Sequence, residues 1–281
     1  MPFLKKALQA GAQIFLALLS IAILAAIVRL ALIPSLENIF DLNSSTVSFI
    51  RRMCMITAFV AGYWIYVRFA EKRHPTDLNF RPKTIFISGF AGALWIGVPM
   101  AILFMTNSYL ITGSGGYGAI WDVALVIFAA ALLEEIVFRG VLYRIIEHHY
   151  GFWSALLAPS LLFALLHIFN ANWGGWLSLI IALLLGVMWT LVYALTRNIW
   201  AAAVNHAAWN FTIFATGLPL TGNQDWRASA PLQSNFSGSD WWTGGVAGPE
   251  STVLVIAFVV IIDLALLYAV LRNRTTLAPV A

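Results

Sequence analysis

Two adjacent glutamates stand inside a run otherwise apolar enough to cross a bilayer: Ala129-Ala130-Ala131-Leu132-Leu133-Glu134-Glu135-Ile136-Val137-Phe138-Arg139-Gly140. A charged side chain at the centre of a membrane helix costs roughly 2.5–3.5 kcal/mol on insertion scales, so two in succession require water, protons or partners and mark a functional site. On a helix, Glu135 and Arg139 form an i,i+4 pair with the acid first, the better order for pairing, so Arg139 neutralises Glu135. Glu134 lies about 100° round the helix and has no local cation. It is the carboxylate left to act as a general base.

Two more polar sites interrupt apolar runs downstream. Phe163-Ala164-Leu165-Leu166-His167 follows a turn near Gly151, with Glu134 lying 17 residues before that glycine and His167 16 after it. Antiparallel helices on either side of the turn would bring Glu134 and His167 to one depth. In Asn205-His206-Ala207-Ala208-Trp209-Asn210, His206 and Asn210 share a helix face, with alanines between them that admit a close neighbour. Both can donate hydrogen bonds, to a reacting group or as glue between helices. Asp122 suits the outer interface, whereas Asp263, in the middle of the last apolar run, reads either as a structural acid or as part of a substrate path.

The elements that must position these groups are membrane helices. The chain has 281 residues, 61% hydrophobic and 10% charged, against about 45–50% and 25% in soluble domains, which makes it a polytopic membrane protein. We expect an all-α transmembrane bundle of about eight helices: an N-terminal run to about Ile33, then 53–69, 84–106, 118–138, 152–169, 176–196, 199–217 and 252–271. The first run is longer than the 7–15 residues or so of a signal-peptide core, so it reads as an uncleaved span. Residues 1–110 carry no motif, 118–217 hold every polar motif, 218–250 form an external loop, and 251–281 supply the last helix and tail. Trp226, Trp241 and Trp242 in that loop suit the membrane–water interface. With the N-terminus inside, 12 of the 16 Lys and Arg residues, Arg139 among them, fall on the inner side, and only Arg29, Arg51, Arg52 and Arg227 fall outside. Both termini are therefore expected in the cytoplasm. The net charge of +4 comes from bases flanking apolar runs and indicates no nucleic-acid partner. The single Cys54 rules out an intrachain disulfide and reads as a packing residue.

Taken together, Glu134-Glu135-x-x-x-Arg139, Phe163-x-x-x-His167 and His206-x-x-x-Asn210 resemble the three ordered motifs of the CPBP family, the CAAX-type and bacteriocin-processing intramembrane endopeptidases. The similarity runs from about Asp122 to Phe214. It implies hydrolysis of a peptide bond in a membrane-embedded or lipidated, for instance prenylated, substrate. By the same resemblance Glu134 activates water together with His167, Glu135 supports it from its pair with Arg139, and His206 and Asn210 stabilise the oxyanion. Metal is not required on this reading, because the i,i+4 partner of His206 is Asn210, a poor zinc ligand. The alternative is a zinc site assembled from Glu134, His167 and His206, which would consume the one unpaired carboxylate. Two competing functions remain: from the residues, a proton-coupled transporter or relay protein, whose broken helices or inverted repeats are not visible here, and, within the resemblance, a non-catalytic bacteriocin-immunity-type relative.

Overall fold

In a computed structural model, which describes residues 2–39, 44–169 and 175–277, helices form at all eight expected positions. In an apolar solvent each backbone N–H and C=O must be satisfied within its own segment, which leaves the helix as the available state for these runs. α1 (Pro2–Ile27) continues through a π-helical stretch, Val28–Leu32, into α2 (Ile33–Ile39). α3 (Ser44–Ile65) ends in a second such stretch, Tyr66–Ala70, and α4 (Pro82–Met105) begins on a proline, which suits the first helical position. α5 (Ile120–Glu135) passes through a third, Ile136–Tyr143, into α6 (Arg144–Tyr150). Gly151, at φ +83°, breaks the helix there and starts α7 (Phe152–His167). α8 (Trp176–Thr196), α9 (Ile199–Ala215) and the closing α11 (Val253–Leu277) complete the bundle.

Among the described residues the all-α bundle carries one departure, at one end. Strands β1 (Tyr109–Ser114) and β2 (Leu232–Phe236) pair antiparallel, and a short helix, α10 (Asp240–Thr243), follows them. The stretch expected as an external loop is thus folded. The Tyr109 hydroxyl donates to Thr243 O at 2.7 Å, the Trp242 indole N–H to Ser108 Oγ at 2.8 Å, and Ser178 and Ser251 meet through their hydroxyls at 3.0 Å.

Among the described residues five helical segments, Leu4–Glu37, Thr46–Ala70, Pro82–Met105, Trp176–Thr196 and Val253–Arg274, are long and apolar enough to cross a membrane, so this is an integral membrane protein. The helices at 120–150, 152–167 and 199–215 are either shorter or interrupted by charge. Large apolar side chains such as Phe15, Phe86, Phe90, Leu161, Ile261 and Leu264 point outward, where lipid can cover them. The polar motifs face inward instead. α9 lies among α4, α5 and α8 with most of its residues buried. It approaches α4 closely because Gly92 presents no side chain: a Cβ there would stand 2.2 Å from Asn205 O. Ser88 Oγ donates to Ala201 O and Asn205 Nδ2 to Ser88 O across the same seam, at 2.8 and 2.7 Å.

The end of the bundle opposite the ribbon is ionic. Glu71 accepts from Arg73 and Arg144, both at 2.8 Å, and Glu147 accepts from Arg197 at 2.5 Å and from Arg274. Two of the bases expected outside have partners too, Arg51 with Glu37 and Arg52 with Asp122. Arg139 departs from its expected place among the inner-side bases. It lies wholly inside the bundle, because its acceptors are there.

Candidate active site

Glu135, the last residue of α5, is fully buried and faces two partners at once. Its Oε1 accepts from Arg139 Nη1 at 2.9 Å and lies 2.9 Å from His206 Nδ1. A carboxylate can only accept, so the imidazole presents its Nδ1–H here and keeps Nε2 for the other side. Arg139 also donates from Nη2 to Gly186 O at 2.8 Å and from Nε to Thr190 Oγ1 at 3.3 Å. Its guanidinium lies 5.5 to 6.0 Å from the ring centroids of Phe138, Phe163 and Trp189. The buried cation thus has three oxygen acceptors and three aromatic rings about it, which offset the cost of burying a guanidinium.

Glu134 turns the other way. Its side chain keeps 34% exposure, and its Oε2 stands 3.9 Å from His206 Nε2, too far for a direct hydrogen bond. It lines a cavity of about 370 Å3 together with His167, His206 and Asn210. Glu134 and His167, expected at one depth on either side of the Gly151 turn, line the same cavity. His167 Nδ1 donates to Phe163 O at 2.8 Å, one turn back on α7, which directs Nε2 away from its own helix. Asn210 Oδ1 is buried without a protein partner beside the same cavity. Of the seven residues that define the motifs, Glu135 and Arg139 stand behind the cavity wall and the other five, Phe163 among them, on it. Asp122 pairs with Arg52 and Asp263 is buried on α11, and neither lines the cavity.

Local sequence explains several of these placements. Immediately after Glu135 the backbone widens to the π form, which frees carbonyls from the usual α pattern. Gly140 O accepts instead from Arg144 Nε at 2.8 Å and Tyr63 OH at 3.1 Å. Gly186 lets α8 approach α7, since a Cβ there would stand 3.1 Å from Ser160 Cα, and it leaves its carbonyl to Arg139.

Some residues of the site are not visible in the motifs. Trp189 lies flat on the His206 ring, with centroids 3.5 Å apart and planes 17° apart, and fixes its tilt. Glu250, from the turn before α11, lines the cavity while fully buried. Its oxygens accept from the Trp209 indole N–H and from Thr221 N, both at 3.0 Å. Burial pushes its carboxyl up to about 7, against those two bonds, which favour the anion. Trp226, expected at the interface, lines the cavity as well. The only sequence hint of Glu250 is an acid placed immediately before a long apolar run.

The segment that supplies these residues can be compared with known proteins. Residues 116–212 match the family model of type II CAAX prenyl endopeptidases, described as Rce1-like. The match covers about a third of the chain and includes Glu134, Glu135, Arg139, His167, His206 and Asn210. It agrees with the CPBP resemblance carried by the three motifs. No curated protein and no solved structure matches the chain. The Rce1-like segment contains α5 through most of α9, so Glu250 and the outer cover of the cavity lie outside it.

Metal ligation can be tested on the same geometry. His206 and His167 each have Nδ1 engaged, by Glu135 and by a backbone carbonyl respectively, and Nε2 directed elsewhere, the usual pattern of a ligating histidine. Among the described residues, however, no three His, Cys, Asp or Glu side chains stand close enough together to share one ion. Glu134, His167 and His206 line one cavity without converging on a point.

Proposed function

We propose that the chain is an intramembrane endopeptidase that hydrolyses a peptide bond of a membrane-embedded or lipidated substrate, using water activated by Glu134. The observation that carries this reading is the contrast within the acidic pair. Glu135 is spent on Arg139 and His206, while Glu134 opens into a cavity faced by His167, His206 and Asn210. Glu134 takes a proton from water as the water oxygen attacks the scissile carbonyl carbon, with His167 Nε2 holding the water in line. Asn210 and His206 face the developing oxyanion. Donation from His206 Nε2 needs a second proton on the ring, and Glu135 is placed to balance that charge. The protonated Glu134 then hands its proton to the leaving amine as the carbon–nitrogen bond breaks, which restores the carboxylate.

Water is activated on this account without a metal. Purified protein should cleave members of an apolar peptide library and lose that turnover in Glu134→Ala. Exhaustive chelation with elemental analysis of the active protein should leave activity in place. One equivalent of zinc, lost and restored together with turnover, would replace Glu134 as the activating group. Absence of any hydrolysis by folded protein would remove the endopeptidase reading altogether.

A further inference from the structure

The first apolar run carries a cation that nothing in the protein balances. Arg29 is exposed among exposed Ile27, Leu30 and Leu32, on a surface that lipid covers, and no described residue accepts from its guanidinium. Arg52, Arg139, Arg144, Arg197 and Arg274, by contrast, each meet a carboxylate. An unpaired charge facing lipid is costly unless an anion reaches it. The helical run Leu4–Glu37 has 34 residues and is about 51 Å long, against about 30 Å of hydrocarbon. With Lys5 and Lys6 held at the interface where the run begins, Arg29 and the residues after it emerge at the level of the opposite headgroups. The backbone widens to the π form at Val28–Leu32, a departure frequent at functional sites.

α3 brings a second guanidinium to the same place. Arg29, Ile33, Pro34, Glu37, Arg51 and Met55 line one cavity of about 380 Å3. Arg51 Nη2 donates to Glu37 Oε1 at 2.9 Å, which uses one of its five N–H donors. Among the described residues the cavity thus holds one more positive charge than negative, beside an apolar wall of Ile33, Pro34 and Met55. We propose that Arg29 and Arg51 bind the phosphate of one membrane phospholipid, whose acyl chains lie along α1 and α3. The planar fork of an arginine suits phosphate oxygens, and the apolar wall suits the chains attached to them. A free anion would gain nothing from that wall. Arg52, next to Arg51, pairs with Asp122 in the first turn of α5, just past β1, so the site lies at the ribbon end. Binding there clamps α1 to α3 and, through Arg52, steadies the helix that carries Glu134.

Native mass spectrometry of the full chain in an uncharged detergent tests this, with thermal unfolding alongside. The probe is dioctanoylphosphatidylglycerol; the diacylglycerol of the same chain length lacks the phosphate, and inorganic phosphate lacks the chains. The phospholipid should bind one equivalent ahead of any others and raise the melting temperature, and neither control should do so. Arg29→Gln should weaken that first equivalent by on the order of tenfold, through loss of a charge-assisted contact. Lys83→Gln, which removes a base from the start of α4 at the ionic end, should leave it unchanged. Met55→Trp fills the apolar wall while keeping both guanidiniums, and should weaken binding even if Arg29→Gln fails to fold. A first equivalent unmoved by both cavity substitutions would overturn the proposal, as would diacylglycerol bound as tightly as the phospholipid. The same thermal shift from inorganic phosphate would make the occupant a soluble anion and overturn the lipid assignment.

Discussion

Glu134 and Glu135 differ by one position and by nearly everything that determines a carboxylate's use. Glu135 Oε1 is the shared acceptor of a fully buried guanidinium and an imidazole, so replacing it with Gln leaves Arg139 as a buried cation without its counter-charge. Breaking a buried pair from one side costs about 3–5 kcal/mol. Glu135→Gln should therefore lower the melting temperature in detergent and abolish turnover together. Glu134→Gln keeps the shape, disturbs no ion pair closer than 3.9 Å, and should abolish turnover with a melting temperature close to that of the parent. The opposite ranking of the two melting temperatures would reverse the assignment. Trp189→Phe keeps a ring over His206 but shortens the stacked surface. Turnover should fall severalfold while the Glu135–Arg139 pair and the fold persist, an outcome read from kcat alongside thermal unfolding.

At the scale of helices, the site depends on how closely α9 lies to α4. The seam at Gly92 has no room: a Cβ would collide with Asn205 O, a backbone atom that cannot turn aside. Overpacking of this kind costs about 1–3 kcal/mol when the backbone can shift and more when it cannot. Gly92→Ala should push α9 outward, displacing His206 and Asn210 from Glu134, so that activity falls further than stability alone would explain. Gly97 provides the control on the same helix. Its Cβ would meet only a Thr212 methyl at 4.0 Å, and Gly97→Ala should leave both activity and melting temperature nearly unchanged. Equal effects at the two glycines would show that the seam does not position the site. The π stretch after Glu135 belongs to this scale too, since it is where Gly140 O passes to Arg144 and Tyr63.

Over the whole molecule, the candidate-site cavity and the ionic cluster lie toward opposite ends. Leu220, Thr221, Trp226 and Glu250, from the ribbon end, line the cavity, while Glu71, Arg73, Arg144, Glu147, Arg197 and Arg274 gather at the other. With Arg139 inside the bundle, the bases still favour the ionic end as cytoplasmic. Reporter fusions at Lys83 and Asn235 should then report the cytoplasm and the opposite compartment, so that the cavity takes substrate from the non-cytoplasmic side. The same compartment for both fusions would refute this orientation.

How much could be read without a structure follows from where the information is local. The Glu135–Arg139 contact, the common face of His206 and Asn210, and the meeting of Glu134 and His167 on one cavity all accord with the helix repeat and with counting outward from the Gly151 turn, both of which are written in the residues. The apolar runs made the bundle legible for the same reason, because a backbone in lipid has few other states. What the repeat does not contain is which face meets which. That His206 gives Nδ1 to Glu135, 71 residues away, that Trp189 lies on its ring, and that Gly186 and Thr190 receive Arg139 depend on close approaches at single glycines. Glu250 and the β1–β2 ribbon sit in an aperiodic stretch whose pairing is decided only when the helix ends are brought together. Directions along one helix are set by covalent geometry, whereas the closing of the cavity over Glu134 is set by packing between segments far apart in the chain.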